Sequence, residues 1–523
     1  MGVLADPAAL ARGVIGIGFP GSTRDAVPLD ALRAFGPGAL ILFARNVGAP
    51  DELRTLVAAV RESATPPPLI CIDQEGGRVE RIGQGVAALP SAMAVGATGD
   101  VALAGRLGTL LGRDLARLRI TVDLAPVADL ALHPPNAAVA TRAYGDDPER
   151  VAAFACAFAA GLERGGVAAT LKHFPGHGST ADDSHVSLPR VGADAATLRA
   201  RDLVPFARAL AARAASIVMT AHVVVEAFDA ERPASLSRAV TSDLLRGELG
   251  YDGVVATDCL EMDAIARGVG TVRGAVEALA AGADLLFISH RLELAHEAAV
   301  AIAAAVRNGE IPLARLAEAH ARVLDLRRRM ARPAASEPAA DEGAPLEAAR
   351  RAVTALRGEP RLRDGKPVTV ISFEGTAVDD VAASGRGTAA GAEAPSLSSA
   401  LRRRGWKSEV MRVPLEPAAG DIDLLLEHIP ALGDREFVIV TGDAHVHGAQ
   451  RAAVERVLAL APDALIVSGR APYDALSWPR ARRVVCIYGS GGVSLEGCAD
   501  VLSGRQEARG VLPVRLVENS AVR

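Results

Sequence analysis

The sequence predicts an α/β protein: a (β/α)8 TIM-type barrel followed by a smaller αβα sandwich. Three observations lead there. Short apolar, β-branched runs alternate with amphipathic stretches throughout residues 1–330. Eight such runs in that length match the barrel in count and size. After a segment without a large apolar residue, the same alternation resumes over 346–523. A doubly wound open sheet is the other arrangement with this alternation, but it seldom needs eight units.

The expected barrel strands lie at 14–19, 39–43, 69–72, 121–124, 168–171, 217–220, 253–257 and 284–288. Continuous apolar strands of this kind suit parallel pairing with helices over the outer face. The helices expected between them lie at 51–61, 101–118, 147–164, 194–213, 242–249 and 272–281, and a long one at 312–330 closes the unit. Residues 331–345 read as a linker extended by its prolines. Domain two then has strands at 368–373, 409–413, 437–441, 464–468 and 484–488, and a helix at 450–460. Residues 377–395, rich in Gly, Ala, Ser and Asp, read as a mobile loop. Gly489-Ser490-Gly491-Gly492 precedes a helix and could hold an anion, although a plain tight turn accounts for it as well.

Half of the 523 residues are hydrophobic, only 3% are aromatic and 51 are glycine, which suits tight βα units. The net charge of −5 argues against a nucleic-acid partner, which needs a basic face. No run approaches eighteen apolar residues, so no membrane span is expected. The N-terminus has no basic lead-in to an apolar core. Five scattered cysteines (Cys71, Cys156, Cys259, Cys486, Cys498) read as reduced thiols of a cytoplasmic protein.

Polar residues fall where a barrel keeps its chemistry. Asp73-Gln74-Glu75-Gly76-Gly77-Arg78 and Arg81 follow the third strand, and Arg142 lies in the loop after the fourth. Lys172 and His173 end the fifth, His222 the sixth and Asp258 the seventh. The βα loops at the C-terminal strand ends converge on one mouth. Asp258 ends an apolar strand, where a carboxylate must be paired or functional. A fixed carboxylate can attack an electrophilic carbon, provided a second group shuttles the proton. Asp183-Ser184-His185 offers that second group, because residues two apart in an extended segment point the same way. A carboxylate on one ring nitrogen fixes the tautomer and raises the basicity of the other. Asp73 can accept from a diol, with Arg81, Arg142, Lys172 and His173 as donors to sugar oxygens. Glu75, Gly76 and Gly77 read as turn-formers. His173 and His177 also have a spacing that could bind metal, and a solvated polar loop is the third reading of this stretch.

Ile72–Val79, the string Lys172-His173-Phe174-Pro175-Gly176-His177-Gly178 with Asp183-Ser184-His185, Thr257-Asp258, and Val218–His222 resemble glycoside hydrolase family 3, in its β-N-acetylglucosaminidase branch. The resemblance covers residues 10–330 well and 346–523 more weakly. It implies Asp258 as nucleophile, His185 as general acid/base with Asp183 as its partner, and Asp73, Arg81, Arg142, Lys172 and His173 as contacts to the non-reducing-end sugar. It implies a retaining enzyme with no metal or other cofactor, acting on GlcNAc β-glycosides such as muropeptide fragments. A glycoside phosphorylase and an idle sugar-binding protein are the alternatives. The expected partner is a small carbohydrate; the chain is expected to be a monomer or weak homo-oligomer.

Overall fold

The computed structural model describes residues 6–62, 64–134, 136, 138–180, 188–332, 339–375 and 395–516. Eight parallel strands form the first sheet: β1 (Ile15–Ile17), β2 (Ala39–Leu42), β3 (Leu69–Ile72), β4 (Val122–Asp123), β5 (Ala168–Phe174), β6 (Ile217–Thr220), β7 (Val254–Thr257) and β8 (Leu286–Ile288). β1 pairs with β8, and a parallel bridge from Ala256 to Leu285 brings β7 beside β8, so the ring is nearly closed.

Period-two alternation sorts the strand residues into two cores. Ala39, Ile41, Leu69, Cys71, Ile217, Met219, Val254, Ala256, Leu285 and Phe287 pack together inside the ring. The residues between them, such as Leu40, Leu42, Ile70, Ile72, Val218 and Val255, pack outward with the surrounding helices. Each buried Leu, Ile or Val contributes roughly 1.5–3 kcal/mol of transfer free energy. Helix Leu313–Ala331 sends Val323 and Leu326 into the inner core. Arg315 and Arg322 of the same helix join Arg246 around the fully buried Asp284, at 2.7, 3.3 and 2.5 Å. That ion cluster lies before β8, away from the strand ends that carry the site.

The second sheet contains β9 (Thr354–Arg357), β10 (Val368–Glu374), β11 (Ser408–Pro414), β12 (Glu436–Thr441), β13 (Leu465–Ser468) and β14 (Arg483–Cys486). Its order is β9-β14-β13-β12-β10-β11, parallel except for β9 against β14. Val370, Val438 and Leu465 join one apolar core, and Ile371, Ile439 and Ile466 the other. Helices therefore cover both faces, as in an αβα sandwich.

The two sheets are joined by side chains and by the returning chain. Ser91 Oγ donates to the Tyr488 carbonyl at 2.6 Å, and the Val511 amide to the Ala97 carbonyl at 2.9 Å. Met93, Ala97, Val139, Tyr473, Tyr488 and Val514 share an apolar cluster between them. In the segment expected as a linker, Asp341 and Glu342 pair with Arg106 and Arg113 at 2.5 Å each, and a helix starts at Ala344.

Some elements differ from the sequence reading. The helix expected over 194–213 is two, Ala195–Ala200 and Val204–Ala211. The break falls at Asp202, whose buried carboxylate takes hydrogen bonds from Ser179 and Arg201, and Pro205 sits where a new helix tolerates it. The stretch expected as an α-helix over 242–249 belongs to a π-helix, Ala239–Glu248. The antiparallel edge strand β9 was not expected. The 377–394 part of the loop read as mobile lies outside the described residues.

Candidate active site

The ends of β2, β3, β5, β7 and β8 surround one cleft of about 170 Å³. Asp73, Glu75, Arg81, Arg142, Lys172, His173, Asp258 and Cys259 all line it. Five of the eight positions read from sequence as catalytic or sugar-binding (Asp73, Arg81, Arg142, Lys172, His173) therefore share it with Asp258. The remaining two, Asp183 and His185, lie in 181–187, outside the described residues.

The β3 turn is folded by Gln74. Its side-chain oxygen accepts from the Arg81 and Ile82 amides at 2.8 and 3.0 Å, and its own amide donates to Asp123 at 3.0 Å. Gly77, at φ +63°, faces the Ser91 backbone, where a side chain would collide. The turn thereby presents Asp73 and Glu75 together. Lys172 Nζ reaches Asp73 at 2.9 Å and Glu75 at 2.6 Å, while only 2% of its side chain is exposed. Arg142 grips Glu75 with Nε at 2.8 Å and a terminal nitrogen at 2.7 Å. Arg81 stands 3.8 Å from Asp73.

These pairings set the protonation states. Burial pushes the Glu75 carboxyl up, but Arg142 and Lys172 outweigh it and hold the group well below the usual range. Burial likewise opposes the charge on Lys172, and Asp73 with Glu75 keeps it ionised. Asp123, behind this cluster, is different: burial raises its carboxyl well above the ordinary value, with Asp73 and Glu75 adding to the rise.

Alternation along β5 would put Lys172 and His173 on opposite faces. The β5–β6 register shifts between Leu171 and Phe174, and both side chains reach the cleft. The Lys172–His173 and Phe174–Pro175 peptides are cis. His173 Nδ1 lies 2.7 Å from the fully buried Asp129, leaving Nε2 on the Arg142 side at 3.4 Å. Asp129 also accepts from the His177 amide at 2.7 Å. Gly178 packs onto the Leu130 carbonyl so closely that a Cβ there would sit 1.8 Å from that oxygen. The Asn136 side-chain amide donates to the carbonyls of His177 and Thr180, 3.0 Å each, fixing the stem that leads to 181–187.

Just past β7, the Cys259 amide donates to Asp258 Oδ1 at 2.7 Å. The Cys259 carbonyl lies 2.9 Å from His222 Nε2, and His222 Nδ1 lies 2.7 Å from Ser235. His222 is thus a buried brace beneath the turn that carries Asp258. Burial pushes the Cys259 thiol up to about 11.

The chain's residues 28–326 match the family model described as the glycosyl hydrolase family 3 N-terminal domain. The chain belongs to glycoside hydrolase family 3. It is 40% identical over 294 residues to a β-hexosaminidase of Xylella fastidiosa strain 9a5c, covering 55% of this chain and 86% of that one. A family-3 β-N-acetylglucosaminidase structure from Paenibacillus sp. FPU-7 superposes with a TM-score of 0.89 at 33% identity, covering 98% of this chain and 99% of that chain. A β-N-acetylhexosaminidase structure from Beutenbergia cavernae is 32% identical with a TM-score of 0.56, covering 63% of this chain and all of its own. The two-sheet architecture is therefore shared from end to end with a solved family-3 glycosidase.

Sequence reasoning placed Glu75 in the turn only; the structure corrects that, because Glu75 lines the cleft and joins two cations. Asp123 and Asp129 were missed, although each is an acid inside an apolar run, the signal that singled out Asp258. Phe43, Met262 and His290 also line the cleft and carry no motif. The Gly489–Gly491 run lies against a separate cavity of about 140 Å³, bordered by Arg78, Glu80, Asp443 and Arg470. Among the described residues, no cluster of three or more His, Cys, Asp or Glu could hold a metal ion. No described helix is long and apolar enough to cross a membrane.

Proposed function

We propose that this family-3 enzyme is a retaining exo-β-N-acetylglucosaminidase. The observation that carries the reading is Asp258, set at the end of β7 in the same cleft as the Asp73–Lys172–His173 group. Asp73, Arg81, Arg142, Lys172 and His173 hold the non-reducing-end sugar. The Asp258 carboxylate attacks the anomeric carbon and forms an ester as the glycosidic C–O bond breaks, while His185, oriented by Asp183, protonates the departing oxygen. His185 then takes a proton from water, water attacks the anomeric carbon, and the ester bond breaks to return Asp258. The relatives named above support this choice of substrate.

Within this reading the catalytic unit is 1–330, the linker 331–345 and the sandwich 346–523, and no cofactor takes part. The natural substrate is a muropeptide fragment, GlcNAc-anhydro-MurNAc with or without peptide, by resemblance to the branch. A cytoplasmic location suits the five free thiols. The test is product analysis with chromogenic GlcNAc and Glc β-glycosides, with and without inorganic phosphate. Free GlcNAc from the GlcNAc substrate supports hydrolysis. Formation of GlcNAc-1-phosphate makes the enzyme a phosphorylase, and no turnover of either glycoside overturns the reading.

A further inference from the structure

The loop that follows β4 brings Asn136 and Arg142 to the site, yet much of what holds this loop belongs to the second sheet. Ala131, Val139 and Ala143 pack with Ala471, Tyr473 and Tyr488 in one apolar cluster. The far end of the loop is tied down by the Asp146 amide, which donates to the Pro513 carbonyl at 3.1 Å. The Arg515 amide donates back to the Asp146 carboxylate at 2.8 Å. The near end is met by His445, in the turn after β12, whose Nε2 lies 3.3 Å from the Pro134 carbonyl. Its Nδ1 lies 2.9 Å from Oδ1 of Asp474. That carboxylate is fully buried and also accepts from the His445 amide at 3.0 Å and Thr441 Oγ1 at 2.6 Å.

These two contacts decide the charge on the ring. A neutral imidazole has one N–H and one lone-pair nitrogen. His173 and His222 are satisfied in that form, with an acceptor at one nitrogen and a donor at the other. For His173 these are Asp129 and Arg142; for His222, the Cys259 carbonyl and the Ser235 hydroxyl. His445 has a carboxylate at one nitrogen and a carbonyl at the other, so only the imidazolium donates to both. Burial opposes that charge, but Asp474, then Asp443 and the Pro134 carbonyl, outweigh it and raise the His445 pKa. The other ionisable groups around the ring are few. Tyr473 meets it edgewise with 5.6 Å between ring centroids, and Arg470 stands 3.4 Å from Asp443. Arg451 donates to the His445 carbonyl at 2.8 Å, and burial keeps the Cys486 thiol near Asp474 protonated.

Pro134 is followed closely by Asn136, which fixes the His177 and Thr180 carbonyls, and by Arg142, which grips Glu75. We propose that His445, held as an imidazolium by Asp474, is a positioning residue that fixes the β4 loop and thereby Asn136 and Arg142 for catalysis. The proposal rests on the glycosidase reading above. It gives the second sheet a part in the reaction, although the described residues lining the cleft all come from the barrel.

The test measures kcat/KM on a chromogenic GlcNAc β-glycoside for wild type, His445→Ala and His445→Gln, from about pH 6 to about pH 9. His185 is common to all three proteins, so its titration cancels in their ratios. The wild-type advantage over His445→Ala should be roughly tenfold at the acid end, the worth of one charged hydrogen bond. It should shrink as the pH climbs through the raised pKa and the bond to Pro134 is lost. An advantage that stays constant with pH overturns the proposal, because packing alone would produce it. His445→Gln fills the space with an amide that donates at every pH. Its ratio to wild type should shift in the same direction, which keeps the comparison available should His445→Ala fold poorly. Hydrogen exchange gives a readout that needs no turnover. Peptides from 130–146 should exchange faster in His445→Ala than in wild type at the acid end, while β8 should not change. Unaltered exchange over 130–146 overturns the proposal. Inactive wild-type protein whose 130–146 exchange still responds to His445→Ala refutes the glycosidase reading and not the clamp.

Discussion

Arg142 and Glu75 form a two-point ion pair at 2.7 and 2.8 Å inside the cleft, and Lys172 completes it from the other side. Removing the charge but not the shape, Glu75→Gln leaves two buried cations short of a counter-ion. Breaking such a pair costs about 3–5 kcal/mol, read as a lower urea midpoint, and kcat/KM should fall with it. The folded-state pKa of Glu75 is depressed, so its contribution is present above the ordinary glutamate value and lost only as pH falls through the lowered one. The stability gap between wild type and Glu75→Gln should therefore stay flat from about pH 5 to 8 and close only in strong acid. A gap that widens towards acid would contradict the pairing.

Asp258→Asn keeps the size of the side chain and removes the nucleophile. Turnover of a chromogenic GlcNAc β-glycoside should drop by at least about a thousandfold, with the thermal transition near that of wild type. A variant retaining full activity would show that Asp258 is not the attacking group.

His185→Ala removes the proposed proton donor. Substrates with poor leaving groups depend on that proton and should slow by about 10²–10⁴-fold, whereas an activated aryl leaving group should lose far less in the first step. Equal slowing across a leaving-group series would take His185 out of the acid role.

Asp123 gives a pH signature of the opposite sign. Its folded-state pKa is raised, so the native state keeps a proton that the unfolded chain has already released above pH 3.8. Stability on account of this group is thus greatest in acid and falls as pH climbs from there to the raised value, by about 1.4 kcal/mol per pH unit. Asp123→Asn should abolish that component, so the variant gains on wild type as pH rises. The infrared carbonyl band of an un-ionised carboxylic acid should vanish in the same variant. Parallel stability curves and an unaltered infrared spectrum would show Asp123 ionised.

The barrel was legible because its strands are buried on both faces and so stand out as apolar runs, and because Asp73, Lys172 and Asp258 each follow one directly. What escaped were features made by contact between distant segments. β9 pairs as an antiparallel edge, which no local periodicity marks. The break at Asp202 depends on Ser179, more than twenty residues away in sequence. Glu75 looks like a turn residue until Arg142 is seen to arrive from another loop. Phe43 and His290 meet only because the ring brings β8 to within one strand of β2. The segment 181–187, central to the chemical reading, is outside the described residues, and its assignment stands on the resemblance.

Lys172, almost wholly enclosed and shared between Asp73 and Glu75, has a consequence for how the enzyme meets its medium. The charges that line the sugar site are already neutralised by one another across 2.6–2.9 Å, well inside the screening length of about 8 Å at physiological ionic strength. An uncharged pyranose entering such a site displaces no counter-ions. Its capture should change little between dilute buffer and concentrated salt.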